Sequence, residues 1–102
     1  KDGLAMSSRN RLLTDRQRIH APLIAKTLFS AVKLKPKMTP AELKKWVINT
    51  LNNDPLISVE YFEIVNSLDL TPVDSWNDPV PKTGCVAVKI GEIRLIDNVF
   101  FA

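Results

Sequence analysis

The amino-acid sequence predicts an α+β domain in which helices pack on one face of a small antiparallel three-stranded sheet. Three observations predict it. Two helix-start signals, Thr14-Asp15-Arg16-Gln17 and Thr39-Pro40-Ala41-Glu42, stand in the first half of the chain. Beyond Pro55 the apolar residues switch to a period of two and become rich in β-branched and aromatic side chains. Near the end, Gly91-Glu92 separates two such runs at the spacing of a tight hairpin. Helices followed by consecutive strands bury their apolar faces most simply as a helical layer on an antiparallel sheet.

Each element has its own local cause. The Thr14 hydroxyl can accept from the Gln17 amide while Gln17 reaches back, a capping box that opens the first helix. Ile19, Leu23, Leu28, Ala31 and Val32 follow as an approximate helical stripe. Pro22 interrupts it, lacking an N–H and crowding the preceding turn, so a kink or break is expected near His20. Residues 33–38 form a polar connector around Pro36. Thr39, Pro40 and Glu42 then supply the cap, first-turn proline and third-position glutamate of another helix. Leu43, Trp46, Val47 and Leu51 are its expected apolar face, and Asn52-Asn53-Asp54-Pro55 its end.

Residues 58–65 read as a strand with Val59, Tyr61 and Val65 on one face and Phe62 and Ile64 on the other. Residues 66–70 are expected to turn, and residues 74–82, with Pro79 and Pro81, to form an irregular loop. Residues 85–90 and 93–99 are the hairpin strands, and glycine at the first loop position suits a type II′ turn.

Composition limits the function classes. The 102 residues are read as one domain, with 45% hydrophobic and 25% charged residues, as in ordinary globular chains. A net charge of +3 without a dense basic stripe gives no nucleic-acid partner, since Lys33, Lys35 and Lys37 are interrupted by Pro36. No apolar run approaches membrane-spanning length, and the single cysteine, Cys85, cannot form an internal disulfide. A soluble, cytoplasmic protein is therefore expected. Cys85 lies in an apolar run and reads as an inert thiol, and neither it nor the lone His20 has a second ligand at metal-site spacing. Glu60 and Glu63 fall three apart on a strand, which does not pair them for acid–base work. Arg94 and Asp97, also three apart, are expected on opposite faces.

The segment with chemistry in it is Gly3-Leu4-Ala5-Met6-Ser7-Ser8-Arg9-Asn10. Two adjacent hydroxyls and a guanidinium in a poorly helical stretch can grip phosphate oxygens, because Arg presents a fixed fork of donors and Ser adds short ones. Thr14 already serves as the helix cap, which leaves Ser7 and Ser8 available for other work. No other residue set completes an active site, so the loop reads as half of a larger one.

Two segments read together carry a resemblance. Asp2-Gly3-Leu4-Ala5-Met6-Ser7-Ser8-Arg9-Asn10 and Arg94-Leu95-Ile96-Asp97-Asn98 resemble the C-terminal domain of the pantoate–β-alanine ligase (pantothenate synthetase) family. Leu13-Thr14, Tyr61-Phe62-Glu63-Ile64-Val65 and Val86-Ala87-Val88-Lys89-Ile90-Gly91 match between them, so the resemblance spans nearly the whole chain. It departs from the family pattern at Ile93, where a small polar residue is usual.

The resemblance implies an adenylate-forming ligase. Such enzymes activate pantoate with ATP and Mg2+, held as a substrate complex without a tightly bound cofactor, to a pantoyl adenylate that β-alanine then attacks. Carried over by position, Met6 lies by the nucleotide, Ser7 and Ser8 bind phosphate, and Arg9 holds the polyphosphate and acts as the catalytic residue. The family's larger N-terminal Rossmann-like domain, with its His-rich nucleotide motif and its dimer interface, has no counterpart in this sequence. The chain is therefore expected to be a lid domain, inactive alone, whose full-length form is a homodimer through the N-terminal domain. A second reading gives the same loop to a stand-alone phosphate-binding or nucleotide-binding, or interaction, module without catalysis.

Overall fold

Thr14 accepts from the Gln17 amide at 3.1 Å and donates its own amide to Gln17 Oε1 at 3.0 Å, closing the expected capping box. The computed structural model describes residues 14–101, and Met6, Ser7, Ser8 and Arg9 lie outside that range. Helix α1 spans Asp15–His20 and helix α2 spans Pro22–Leu34. The break falls at Ala21, where proline at the first position of α2 cannot donate to the turn before it. Ala21 stays helical and completely buried, donating to the Gln17 carbonyl and accepting from Ile24, so the elbow is a single residue.

A 3-10 turn at Lys35–Lys37 ends α2, and the Thr39 capping box starts helix α3, Pro40–Asn52. A cap of this kind stabilises a helix by about 1 kcal/mol. Leu43, Val47 and Leu51 are fully buried, while Trp46 is half-buried. One expectation fails at Ile19, which is 77% exposed and takes no part in the core stripe. The least exposed positions of α1, Gln17 and His20, are spaced in line with Ala21 and with the buried set of α2, Ile24, Ala25, Thr27, Leu28 and Ala31, and Ile19 falls off that line.

Strands β1 (Ile57–Asn66), β2 (Lys82–Ile90) and β3 (Ile93–Phe101) form an antiparallel sheet in the order β1-β2-β3. Helix α3 packs against β1 and α2 against β3, so one sheet face is covered by helices, as expected. Tyr61, Ile96 and Phe100 are exposed large apolar side chains of the strands.

The two-face reading of β1 needs correction. A β-bulge between Val59 and Tyr61 shifts the register, pairing Val59 with Val88 and Tyr61 with Ala87. The extra residue reverses the alternation, so Val59 joins Ile57, Phe62 and Ile64 on the core instead of siding with Tyr61. Both hairpin strands also begin or end beyond the expected bounds, β2 at Lys82 and β3 at Phe101. At their turn Gly91 alone has a positive φ, +62°, which fits the type II′ geometry expected of its position.

The loop before β2 is well held. The Trp76 indole N–H donates to the Met38 carbonyl at 2.6 Å. The buried Lys82 ammonium donates to the carbonyls of Asp78 (2.6 Å) and Val80 (2.9 Å), so its charge meets backbone dipoles rather than an apolar wall.

Candidate functional site

Helix α1 is the first described element, and in sequence it follows the segment 3–10 from which phosphate contacts are expected. Its first turn carries Asp15, and none of its six residues is buried. A helix this short has little stability of its own and depends on contacts. Gln17 lies against Gly91 of the hairpin turn, so closely that a Cβ on Gly91 would stand 2.5 Å from Gln17 Nε2. His20 Nδ1 meets Asp54 Oδ2 at 2.6 Å across the α3–β1 connection. The other Asp54 oxygen accepts from the Leu56 amide at 2.8 Å, which fixes the carboxylate. Asp54 was not singled out by the sequence as a partner for His20, because 34 residues separate them.

The remaining sequence candidates separate. Arg94 pairs with Glu60, and Lys44 pairs with Glu63, so the two glutamates serve different partners. Asp97 lies on the cross-strand row of Val86 and Phe62, the row that faces the core, while Arg94 pairs with Lys89 one face over. Burial pushes the Asp97 carboxyl above its ordinary value, and the amide of Asn98 offsets part of that. Cys85 is half-buried, and burial pushes its thiol up, away from the reactive thiolate. Among the described residues no group of three or more His, Cys, Asp or Glu is placed to hold a metal ion. No helix among them is long and apolar enough to cross a membrane.

A separate cavity of about 730 Å³ opens where α2 ends and α3 begins, lined in part by Val32, Met38 and Trp76. Lys35 sits over the Trp76 ring at 5.3 Å. Helix α2 is 13 residues long, so this cavity lies about 20 Å from the elbow at its other end. It is no part of the α1 surface.

These features define a small α+β domain whose first described element is a short helix held by its side chains. The chain belongs to the pantoate–β-alanine ligase family, whose model, described as Pantoate-beta-alanine ligase, matches residues 1–100. It is 46% identical over 99 residues to a pantothenate synthetase of Porphyromonas gingivalis, covering 97% of this chain and 35% of that protein. It is 44% identical over 100 residues to one from Azobacteroides pseudotrichonymphae, covering 98% of this chain and 36% of that one. Among solved structures, a pantothenate synthetase of Thermus thermophilus superimposes with a TM-score of 0.83 at 32% identity, over 96% of this chain and 35% of that one. The chain thus spans about a third of the length of the relatives it matches.

Proposed function

We propose that this chain is the C-terminal, ATP-side lid domain of a ligase that condenses pantoate with β-alanine to make pantothenate. The observation that carries the proposal is the extent of the match: family sequence and fold run together over nearly all of the chain and about a third of each relative. The loop 6–9 falls within the matched residues and has the chemistry that such a role needs.

In this reading a pantoate carboxylate oxygen attacks the α-phosphorus of Mg2+-bound ATP, forming pantoyl adenylate and releasing pyrophosphate. The β-alanine amine then attacks the acyl carbon, loses a proton, and displaces AMP. Negative charge builds on the departing pyrophosphate in the first step. The Ser7 and Ser8 hydroxyls and the Arg9 guanidinium donate to its oxygens, with Met6 packed beside the nucleotide. Donors already in place lower the barrier because they need no reorganisation as the charge develops. The preceding domain supplies the pantoate pocket and the dimer interface, and closure of this domain over it excludes water from a hydrolysable adenylate. The enzyme works in the cytoplasm, and this domain alone does not turn over.

The test is pyrophosphate release by the full-length protein with Arg9→Ala. Loss of one such charge-stabilising group lowers kcat/KM for ATP by about 10²–10³-fold. An Arg9→Ala enzyme that forms pantoyl adenylate at the parent rate removes Arg9 from the mechanism. A parent protein without pantoate-dependent pyrophosphate release removes the function.

A further inference from the structure

We infer that the cavity between the end of α2 and the start of α3 is a binding site for a small aromatic carboxylate, its ring held by Val32, Met38 and Trp76 and its charge met by Lys35 and Lys37. All five residues line the cavity. The inference stands on the cavity alone and does not depend on the function proposed above.

At about 730 Å³ the cavity falls within the range of sites that take small molecules. Three segments build its apolar wall. Val32 comes from the last turns of α2, Met38 from the exit of the 3-10 turn, and Trp76 from the loop before β2. Trp76 is a firm wall, because its N–H is committed to the Met38 carbonyl at 2.6 Å and its ring lies against the buried Phe101. It therefore offers a ligand apolar surface and no donor. Indole and thioether surfaces both pack well on a flat ring, the Met38 sulfur with a favourable contact of its own.

The polar side of the cavity selects a carboxylate. Its ionisable lining residues are Lys35, Lys37 and Glu42. Lys35 is held over the Trp76 ring at 5.3 Å, so its ammonium stands beside the apolar wall before a ligand arrives. Lys37, two residues on, has no ion-pair partner among the described residues. Glu42 is engaged: its Oε1 accepts from the Thr39 amide at 2.9 Å, while Thr39 Oγ1 accepts from the Glu42 amide. The capping box thus uses both of those amides, and the two lysines are left to answer an anion. Two cations against one engaged carboxylate favour a monoanion over a neutral ligand and oppose a cation.

An aromatic acid uses both sides of the cavity at once. A bare inorganic anion gains only the lysines at an exposed rim, where such pairs are worth little. A neutral ring gains apolar burial alone. Joining ring and carboxylate in one molecule adds the two gains for a single loss of translational freedom.

Titration calorimetry on the full-length protein tests this with three probes of like shape: biphenyl-4-acetate, 2-(biphenyl-4-yl)ethanol and 2-(biphenyl-4-yl)ethylamine. The acid binds about tenfold tighter than the alcohol, and the amine binds most weakly. Added salt removes most of the acid's advantage, because the lysines lie near the surface. Lys35→Gln combined with Lys37→Gln lowers the affinity for the acid about tenfold and leaves that for the alcohol unchanged. Val32→Trp, which fills the cavity from the α2 side, abolishes binding of both. The double lysine variant changes no buried residue, so the test survives even where Val32→Trp does not fold. Failure of the acid to bind, equal affinities for acid and alcohol, or acid binding untouched by the lysine changes overturns the site. Unchanged binding by a folded Val32→Trp protein overturns it too, since the acid then sits elsewhere.

Discussion

Gly84 lies beneath the ring of Phe101, so close that a Cβ there would stand 2.8 Å from Phe101 Cε2 and 3.0 Å from Phe62 Cζ. Both phenylalanines are buried, and Phe101 in turn meets Trp76 with ring centroids 5.3 Å apart at 45°. The glycine therefore makes room for a row of aromatic rings that joins the sheet to the loop before β2. Gly84→Ala is expected to cost about 1–3 kcal/mol through overpacking, measured by urea unfolding followed at the tryptophans. Adding Phe101→Leu frees the space, so the double variant should lose less than the sum of the two single changes. Strict additivity would mean that the ring and the glycine do not compete for the same volume.

Thr27 shows the opposite fault. Its side chain is 2% exposed between Ile24 and Ala31 on α2, and among the described residues its hydroxyl has no hydrogen-bond partner. An unpaired buried hydroxyl costs on the order of 1 kcal/mol or more, whereas valine has nearly the same shape and helix propensity. Thr27→Val should therefore stabilise the domain by about 1 kcal/mol, seen as a rise of roughly 4–8 °C in the melting temperature of a domain this size. A fall in stability would show that the hydroxyl is satisfied.

The elements read most directly from the sequence are those set by local chemistry. Thr14 with Gln17 and Thr39 with Glu42 close the boxes their spacing implies, Pro22 breaks the first helix, and Gly91 takes the positive φ of its hairpin position. What escaped was set at a distance. No glycine or proline marks the bulge beside Glu60, yet that one extra residue moves Val59 to the other face. Periodicity placed Ile19 in a stripe with Leu23, whereas the buried line runs through Ala21, Ile24, Leu28 and Ala31, with which Gln17 and not Ile19 is in step. The His20–Asp54 contact joins residues that only the packing of α2 and α3 brings together. For the loop 6–9, motif chemistry and family resemblance carry the reading, since those residues lie outside the described range.

Asp97 gives the fold a pH dependence of predictable sign. It shares a sheet row with Val86 and Phe62, both fully buried, and that burial pushes its carboxyl above the ordinary value, with a smaller opposing pull from the Asn98 amide at 2.8 Å. The native state therefore keeps the proton at pH values where the unfolded chain has lost it. By linkage, its contribution to stability is fully present below the unfolded value and is lost as pH rises through the raised native one. At neutral pH the native state carries a partly desolvated charge that the unfolded chain keeps in water. Asp97→Asn retains an oxygen to accept from Asn98 and has no charge to desolvate. It should be more stable than the parent at pH 7, by a margin that shrinks as pH falls through the raised Asp97 value and levels off below the ordinary carboxylate range. Stepwise urea unfolding of both proteins from pH 7 to pH 3 measures the margin directly, and taking the difference cancels other carboxylates such as Asp69, which Thr71 pulls the opposite way. A margin that stays constant, or that grows on acidification, would place the Asp97 carboxylate in a solvated or compensated setting.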